Sequence, residues 1–379
     1  MTGTTNGTAA TGAATGGLAT GLTGGAGTAP PAHGTALLEA RGIGKVFGGG
    51  LFSKRRTIAL EDFTFRVETE PPSITAIVGE SGSGKTTLAR VLLGLAEPST
   101  GAVLYRGKDL RTLGGGERKQ FLRDVQVIFQ DPYEVYNPFY RVDHVLETPV
   151  AKFGLASSKE EARAKIEDTL RAVGLRPDET LGRYPHQLSG GQRQRIMVAR
   201  ALLIRPRLII ADEPVSMVDA SLRATILGSL RQLNEEFGIS LLYITHDLTT
   251  AYQISRNILV LYRGSVAEVG DVEHVVQAPK HPYTQLLVGS IPLADPEQPW
   301  MAEQPPSEIG RARGDGVHGC RFAPRCPSAM EICVGEPPPL FQTDEHRAAS
   351  CYLYTDSPAI PRDEMDRVLA PPEPVAPRA

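Results

Sequence analysis

The apolar positions of this chain gather in short runs that stop abruptly at glycine or at polar side chains, and that rhythm predicts its elements. Ile74-Thr75-Ala76-Ile77-Val78 is an unbroken run of strand length, ended by the Gly-rich Gly79-Glu80-Ser81-Gly82-Ser83-Gly84. Thr87-Leu88-Ala89-Arg90-Val91-Leu92-Leu93 then reads as a helix. Similar runs at Ala102–Tyr105, Asp124–Phe129, Leu208–Ala211 and Ser240–Thr245 predict further strands, and the last three deliver Gln130, Asp212-Glu213 and His246 at their ends. Polar residues at strand ends sit where ligands bind in parallel α/β sheets. Ala36–Phe47 and Thr57–Val67 are strand-like and predict a β-layer beside the glycine loop, separated by Gly48-Gly49-Gly50 and Lys54-Arg55-Arg56. Between Arg141 and about Leu181 the pattern turns helical, with Gly174 as a stop signal. The fold class is α/β.

Composition narrows this picture. The 379 residues, 41% of them hydrophobic, are enough for one large domain with additions. Forty basic residues against 43 acidic ones give no bulk attraction for nucleic acid. No run approaches 18 uninterrupted apolar residues, so no membrane-spanning helix is predicted. Residues 1–35 are nearly all Gly, Thr and Ala without charge. They lack the basic start and apolar core of a signal peptide and predict a disordered leader. The Pro-rich, charged stretch 355–379 predicts a disordered tail.

Gly79 to Thr86 has the spacing G-x-x-x-x-G-K-T. Glycines at such points let successive N–H groups turn inward on phosphate oxygens, and a strand before and a helix after are the context this motif needs. Lys85 is expected on the terminal phosphates and the Thr86 hydroxyl on Mg²⁺. Gly79, Ser81, Gly82, Ser83, Gly84 and Thr87 complete the nucleotide contacts. Ser189-Gly190-Gly191-Gln192 opens a second helix and offers another exposed amide cluster, although alone it is also what a capped helix looks like. Asp212-Glu213 has the order of a Mg²⁺ ligand followed by a water-activating base. Phe47, at the end of its strand, is a candidate to stack on a base, with ordinary packing as the alternative.

Taken together in one fixed order, these motifs resemble the ATP-binding subunits of ABC transporters over about Ala36 to Pro292. Gly79–Thr86 resembles Walker A, Gln130 the Q-loop, Leu188–Gln192 the signature, Leu208–Glu213 Walker B, Ser216–Asp219 the D-loop and His246 the switch histidine. The resemblance implies a RecA-like core with a β-subdomain and a helical subdomain at about 131–200. It also implies that two ATPase subunits sandwich ATP, with Ser189, Gly190, Gly191 and Gln192 acting in trans. In that family Glu213 polarises the attacking water, His246 holds the γ-phosphate geometry, and Gln130 joins Thr86 and Asp212 around Mg²⁺. The departure is Met217-Val218 inside the D-loop, where Asp219 is kept.

All four cysteines fall late, at Cys320, Cys326, Cys333 and Cys351. The spacing C-x5-C-x6-C-x17-C does not fit paired C-x2-C zinc ribbons, and by itself leaves an iron–sulfur cluster, zinc or unliganded thiols open. Residues 293–354 hold many prolines and few long apolar runs, so this piece is expected to struggle to bury a core of its own, a deficit that a metal cross-link offsets. His281-Pro282-Tyr283 and Gly319-Cys320-Arg321-Phe322-Ala323-Pro324-Arg325-Cys326-Pro327 resemble the C-terminal extension of oligopeptide and dipeptide importer ATPases, and Gly50-Leu51-Phe52 suits that branch. The resemblance implies a four-iron four-sulfur cluster and a position on the cytoplasmic face of the membrane. The implied partners are a second ATPase subunit, two permease subunits and, indirectly, a solute-binding protein. Relatives with this extension serve peptides, nickel or oligosaccharides. A soluble ABC ATPase is the reading from another class, disfavoured because such proteins usually carry two cassettes and this chain has one.

Overall fold

The computed structural model describes residues 36–48, 56–130, 136–291, 305–309 and 318–371. Strands β1 (Leu38–Gly48), β2 (Arg56–Val67), β3 (Ile74–Val78), β4 (Thr100–Tyr105) and β5 (Lys108–Asp109) come first in the chain but serve two sheets. Four of them form an antiparallel sheet in the order β2-β1-β4-β5, and β3 enters the other sheet. There β3 lies in a parallel array with β6 (Val125–Ile128), β7 (Leu208–Asp212), β8 (Ser240–Thr245) and β9 (Asn257–Tyr262), in the order β9-β3-β8-β7-β6. Every residue of β3, β7, β8 and β9 is buried. That is why these strands read as continuous apolar runs and not as alternation. Their carboxyl ends deliver the phosphate loop, Asp212-Glu213 and His246 to one region.

The helices Asp143–Phe153, Lys159–Ala172 and Gly190–Leu203 pack on one another through Leu146, Val150, Ile166, Leu170 and Ile196, all buried in the larger core cluster. Helix Lys159–Ala172 starts on Ser158, whose hydroxyl accepts from the Glu161 N–H, and carries i,i+4 pairs such as Arg163–Glu167 on its wet side.

The parallel array continues without a break into the C-terminal part. Strand β10 (Ser265–Asp271) runs antiparallel to β9, and β11 (Leu340–Asp344), β12 (Arg347–Ala349) and β13 (Ala359–Ile360) extend it in the order β10-β12-β11-β13. Phe322, Ala323, Cys326, Cys333, Phe341 and Tyr352 belong to the same core cluster as Ile74 and Ile209. The expectation that this piece struggles to bury a core is therefore corrected. It buries its few large side chains in the core of the ATPase sheet, using the free edge of β10 as its template.

The tail expected to be disordered from residue 355 is also corrected as far as Pro371. The 3₁₀ turn Arg362–Val368 buries Met365 and Val368, three positions apart, and the Asn257 side chain exchanges both hydrogen bonds with the Ala370 backbone, at 3.0 and 2.8 Å. Those two apolar residues were masked in the sequence by surrounding proline and charge. The 1–35 leader, residues 372–379 and Gly50-Leu51-Phe52 lie outside the described residues. Among the described residues no helix is long and apolar enough to cross a membrane.

Candidate active site

Gly84 joins the phosphate loop to the helix Lys85–Leu92. It sits at φ +105°, and a Cβ there would lie 2.3 Å from the Ala59 carbonyl oxygen, so only glycine fits. No side chain caps this helix, which leaves its first N–H groups for a bound anion. Lys85 is 4% exposed and curls back over the loop. Its Nζ donates to the Gly79 carbonyl at 2.7 Å and the Glu80 carbonyl at 3.0 Å, with Ser83 Oγ at 3.5 Å. Burial pushes its pKa down, and the carboxylates of Glu213, Asp212 and Glu80 oppose that. Ser81 and Gly82 are exposed at the loop tip, and Thr87 is half-buried behind it.

Asp212 ends β7, and Thr86 Oγ1 donates to its Oδ1 at 3.5 Å. Burial raises the Asp212 pKa, the neighbouring Glu213 adds to the rise, and Thr86 and Lys85 oppose it. A buried acid with too little compensating charge beside a hydroxyl is a donor set that fits a hard divalent cation. Glu213 has φ +47°, a left-handed conformation that is rare for a residue with a Cβ and is further disfavoured by the proline that follows. Its N–H donates to the Ile244 carbonyl at 2.8 Å, which fastens it to β8. The turn brings Glu213 Oε2 to 3.1 Å from both Gln130 Nε2 and His246 Nδ1. Glu213 is thus nearly buried and His246, half exposed, stands at the mouth. Strain of this kind, held by the surrounding structure, concentrates at functional sites.

A second cluster forms elsewhere on the chain. Ser189 Oγ accepts from the Gln192 N–H at 3.2 Å while Gln192 Oε1 accepts from the Ser189 N–H at 2.9 Å, a reciprocal capping box on helix Gly190–Leu203. A Cβ at Gly191 would meet the Leu222 side chain at 2.4 Å, and Gly190 faces the Met217 carbonyl. Asp219 Oδ1 caps the helix Ala220–Phe237 by accepting from the Leu222 N–H at 3.0 Å and from Ser221 Oγ at 2.6 Å. The hydrogen bonds of Ser189–Gln192 close on themselves and do not reach Lys85. The structure therefore brings Lys85, Thr86, Asp212, Glu213, Gln130 and His246 together, and groups Ser189, Gly190, Gly191 and Gln192 with Asp219 instead. Phe47 stands 47% exposed on β1 with the Lys45 ammonium 5.2 Å from its ring centroid, so it is not a core packing residue.

The four thiols line one cavity together with His281, Phe322 and Tyr352. Cys320 and Cys351 are pushed up to about 11 and about 12, chiefly by burial, with Cys326 and Cys333 adding to the rise in both. Gly319 allows the close approach of this loop, since a Cβ there would lie 2.2 Å from the Cys333 carbonyl oxygen. Among the described residues, no three His, Cys, Asp or Glu side chains gather closely enough to ligate a single metal ion. His281 is fully enclosed; its Nδ1 accepts from the Tyr283 N–H at 3.0 Å, and burial pushes its pKa down to about 4, so it stays neutral. Two residues read in the sequence only as part of the C-terminal extension's segments lie beside the phosphate loop. Tyr283 and Arg325 both engage Glu80, from 203 and 245 positions away.

A tight glycine loop with an enclosed lysine, set beside paired strand-end acids on a parallel sheet, defines a phosphate-loop nucleotide hydrolase. The model for ABC transporters matches residues 60–216, and that for the oligopeptide/dipeptide transporter C-terminal region matches residues 267–333. The chain is 38% identical over 328 residues to the putative oligopeptide transport ATP-binding protein YkfD of Bacillus subtilis, covering 85% of this chain and 96% of that one. It is 37% identical over 307 residues to the oligopeptide transport ATP-binding protein OppF of Haemophilus influenzae, covering 79% and 90%. The dimeric ATP-binding cassette MJ0796, in a post-hydrolysis state bound to ADP and Pi, superposes with a TM-score of 0.55 at 28% identity, over 62% of this chain and 98% of that one. The chain belongs to the ATP-binding subunits of ABC transporters, in the branch that carries the oligopeptide/dipeptide transporter C-terminal region. It is an ATPase that uses Mg²⁺, works as part of a dimer and couples hydrolysis to transport through membrane permease subunits.

Proposed function

We propose that this subunit powers the import of oligopeptides or dipeptides from the cytoplasmic face of the membrane, with an extracytoplasmic solute-binding protein supplying the cargo. The observation that carries the peptide assignment is the match of residues 267–333 to the oligopeptide/dipeptide transporter C-terminal region, together with the likeness of most of the chain to oligopeptide transport ATP-binding proteins. Deleting the chain from cells should abolish uptake of a labelled oligopeptide, and the wild-type chain should restore it. Loss of nickel or oligosaccharide uptake with peptide uptake intact would replace the peptide reading with one of those.

Within the site, Lys85 supplies a point charge to the terminal phosphates and the helix Lys85–Leu92 supplies its free N–H groups. Asp212, Thr86 and Gln130 would hold Mg²⁺, which when bound would supply charge neutralisation at the phosphates. Glu213 accepts a proton from the attacking water, and His246, hydrogen-bonded to the same carboxylate, fixes that carboxylate's orientation and reaches towards the γ-phosphate. The division of the phosphate-binding elements into two clusters supports completion of each site by Ser189, Gly190, Gly191 and Gln192 of a second subunit. Phe47 offers an open ring for the base. Phe139, 87% exposed, and Tyr140, stacked on His144 with centroids 4.6 Å apart, form an aromatic surface for a permease helix.

The four cysteines fit a four-iron four-sulfur cluster of structural role. What supports this reading is that the donor set is all sulfur and that the four thiols line one largely apolar cavity with Phe322 and Tyr352. Anaerobically purified protein is expected to be brown with about four irons per chain, and any Cys→Ser change should lose iron while sparing MgATP binding. Colourless protein holding one zinc would replace the cluster with a zinc site, and metal-free protein with all four thiols titratable would remove both.

A further inference from the structure

Glu80, the second residue of the phosphate loop, is engaged in three directions. Its carboxylate receives the Arg325 guanidinium, with Nη1 at 2.9 Å from Oε2 and 3.2 Å from Oε1, and Nη2 at 3.2 Å from Oε1. Its N–H donates to Tyr283 Oη at 2.8 Å. Its carbonyl accepts from Lys85 Nζ at 3.0 Å. One residue thus connects the extension to the lysine of the loop.

The two groups that grip Glu80 are themselves fixed. Tyr283 is fully buried and packs against Tyr262 of β9 and Phe322 of the extension, with ring centroids 4.4 and 5.5 Å away. Arg325 lies over the Phe322 and Tyr262 rings at 5.6 and 6.0 Å, in the turn Ala323–Arg325 that leads directly into Cys326. A planar guanidinium laid on aromatic faces and forked onto a carboxylate loses little freedom on binding, which makes it a stiff connection. Phosphate loops act through N–H groups set in place beforehand, so a small displacement of the loop is costly to binding and turnover.

We propose that Arg325 and Tyr283 are positioning residues of the ATP site. Acting through Glu80, they fix the phosphate loop and the resting place of Lys85, so the cysteine-bearing extension sets how well the loop receives phosphate. The connection runs through side chains of this chain alone and holds whatever the thiols carry. A contact that merely docked the extension would stabilise the fold and leave the ATP site indifferent.

The test uses the full chain and measures MgATP affinity, hydrogen exchange over residues 79–87 and thermal melting together. Arg325→Ala should weaken MgATP binding about tenfold and speed exchange in the loop, since a misplacement near 1 Å at such a site costs up to about a hundredfold. Arg325→Lys should recover part of the affinity, keeping the charge without the fork. In a Glu80→Gln background, Arg325→Ala should add less than about a twofold loss, because the partner it acts through has already been changed. Wild-type affinity and exchange in Arg325→Ala, or the same tenfold loss repeated in the Glu80→Gln background, overturns the proposal. Should Arg325→Ala fail to fold, Tyr283→Phe removes one hydroxyl only. It should speed exchange at the Glu80 amide and weaken MgATP about threefold, the scale of one lost neutral hydrogen bond; an unchanged loop and affinity in this variant also overturns it.

Discussion

Replacing Glu213 with glutamine leaves MgATP bound and lowers steady-state phosphate release by about 10² to 10⁴-fold, the range for removing a general base. The amide keeps the shape of the side chain, so the left-handed backbone at Glu213, its N–H bond to Ile244 and the Gln130 contact survive. What is lost is the proton acceptor and the charge that His246 Nδ1 approaches at 3.1 Å. Lys85, Thr86 and Asp212 are untouched, so affinity holds within a few-fold while turnover collapses. Phosphate release within tenfold of wild type would take the base away from Glu213.

The second large effect crosses between subunits. Ser189→Arg in one member of a dimer is expected to silence the ATP site built on the other member's Lys85, because Ser189 and Gly190 have no hydrogen bond to the phosphate loop of their own chain. The half of the capping box in which Ser189 Oγ accepts from the Gln192 N–H is lost, at about 1 kcal/mol of helix capping, while the backbone N–H at position 189 still donates to Gln192 Oε1. Pairing a Ser189→Arg subunit with one carrying Lys85→Ala discriminates the models. If sites are shared, a dimer with both changes in one subunit loses both sites, whereas the changes placed in separate subunits ruin the same site twice and leave the other whole. Activity that follows each subunit's own loop regardless of its neighbour would sink the shared site.

Much of this architecture was legible in the sequence because the relevant forces are local or repetitive. Parallel strands buried on both faces demand unbroken Ile, Val and Leu, so β3, β7 and β8 announce themselves. The phosphate loop is contained in eight consecutive residues, and strand ends locate Gln130, Asp212 and His246. What could not be read joins residues far apart through short elements. Three residues of β12 suffice to attach the extension to β10, too few to show a period. The Glu80–Arg325 pair spans 245 positions and involves two residue types that are ordinarily solvated. The left-handed turn at Glu213 is imposed by β8 and opposed by its own local preference, so no local rule finds it.

The sheet continuity described above bears on the order of synthesis. When β10 has emerged from the ribosome, its outer edge still waits for Arg347–Ala349, and Asn257, on the strand beside β3, waits for a backbone partner 113 residues downstream. Throughout that interval the nascent ATPase sheet carries an unpaired edge and an unsatisfied buried amide, the conditions under which strands of separate chains pair wrongly. The segments that cover this edge and this amide, Arg347–Ala349 and Ala370, are therefore made well after β10 and Asn257, and the nascent sheet stays exposed to that hazard until they emerge.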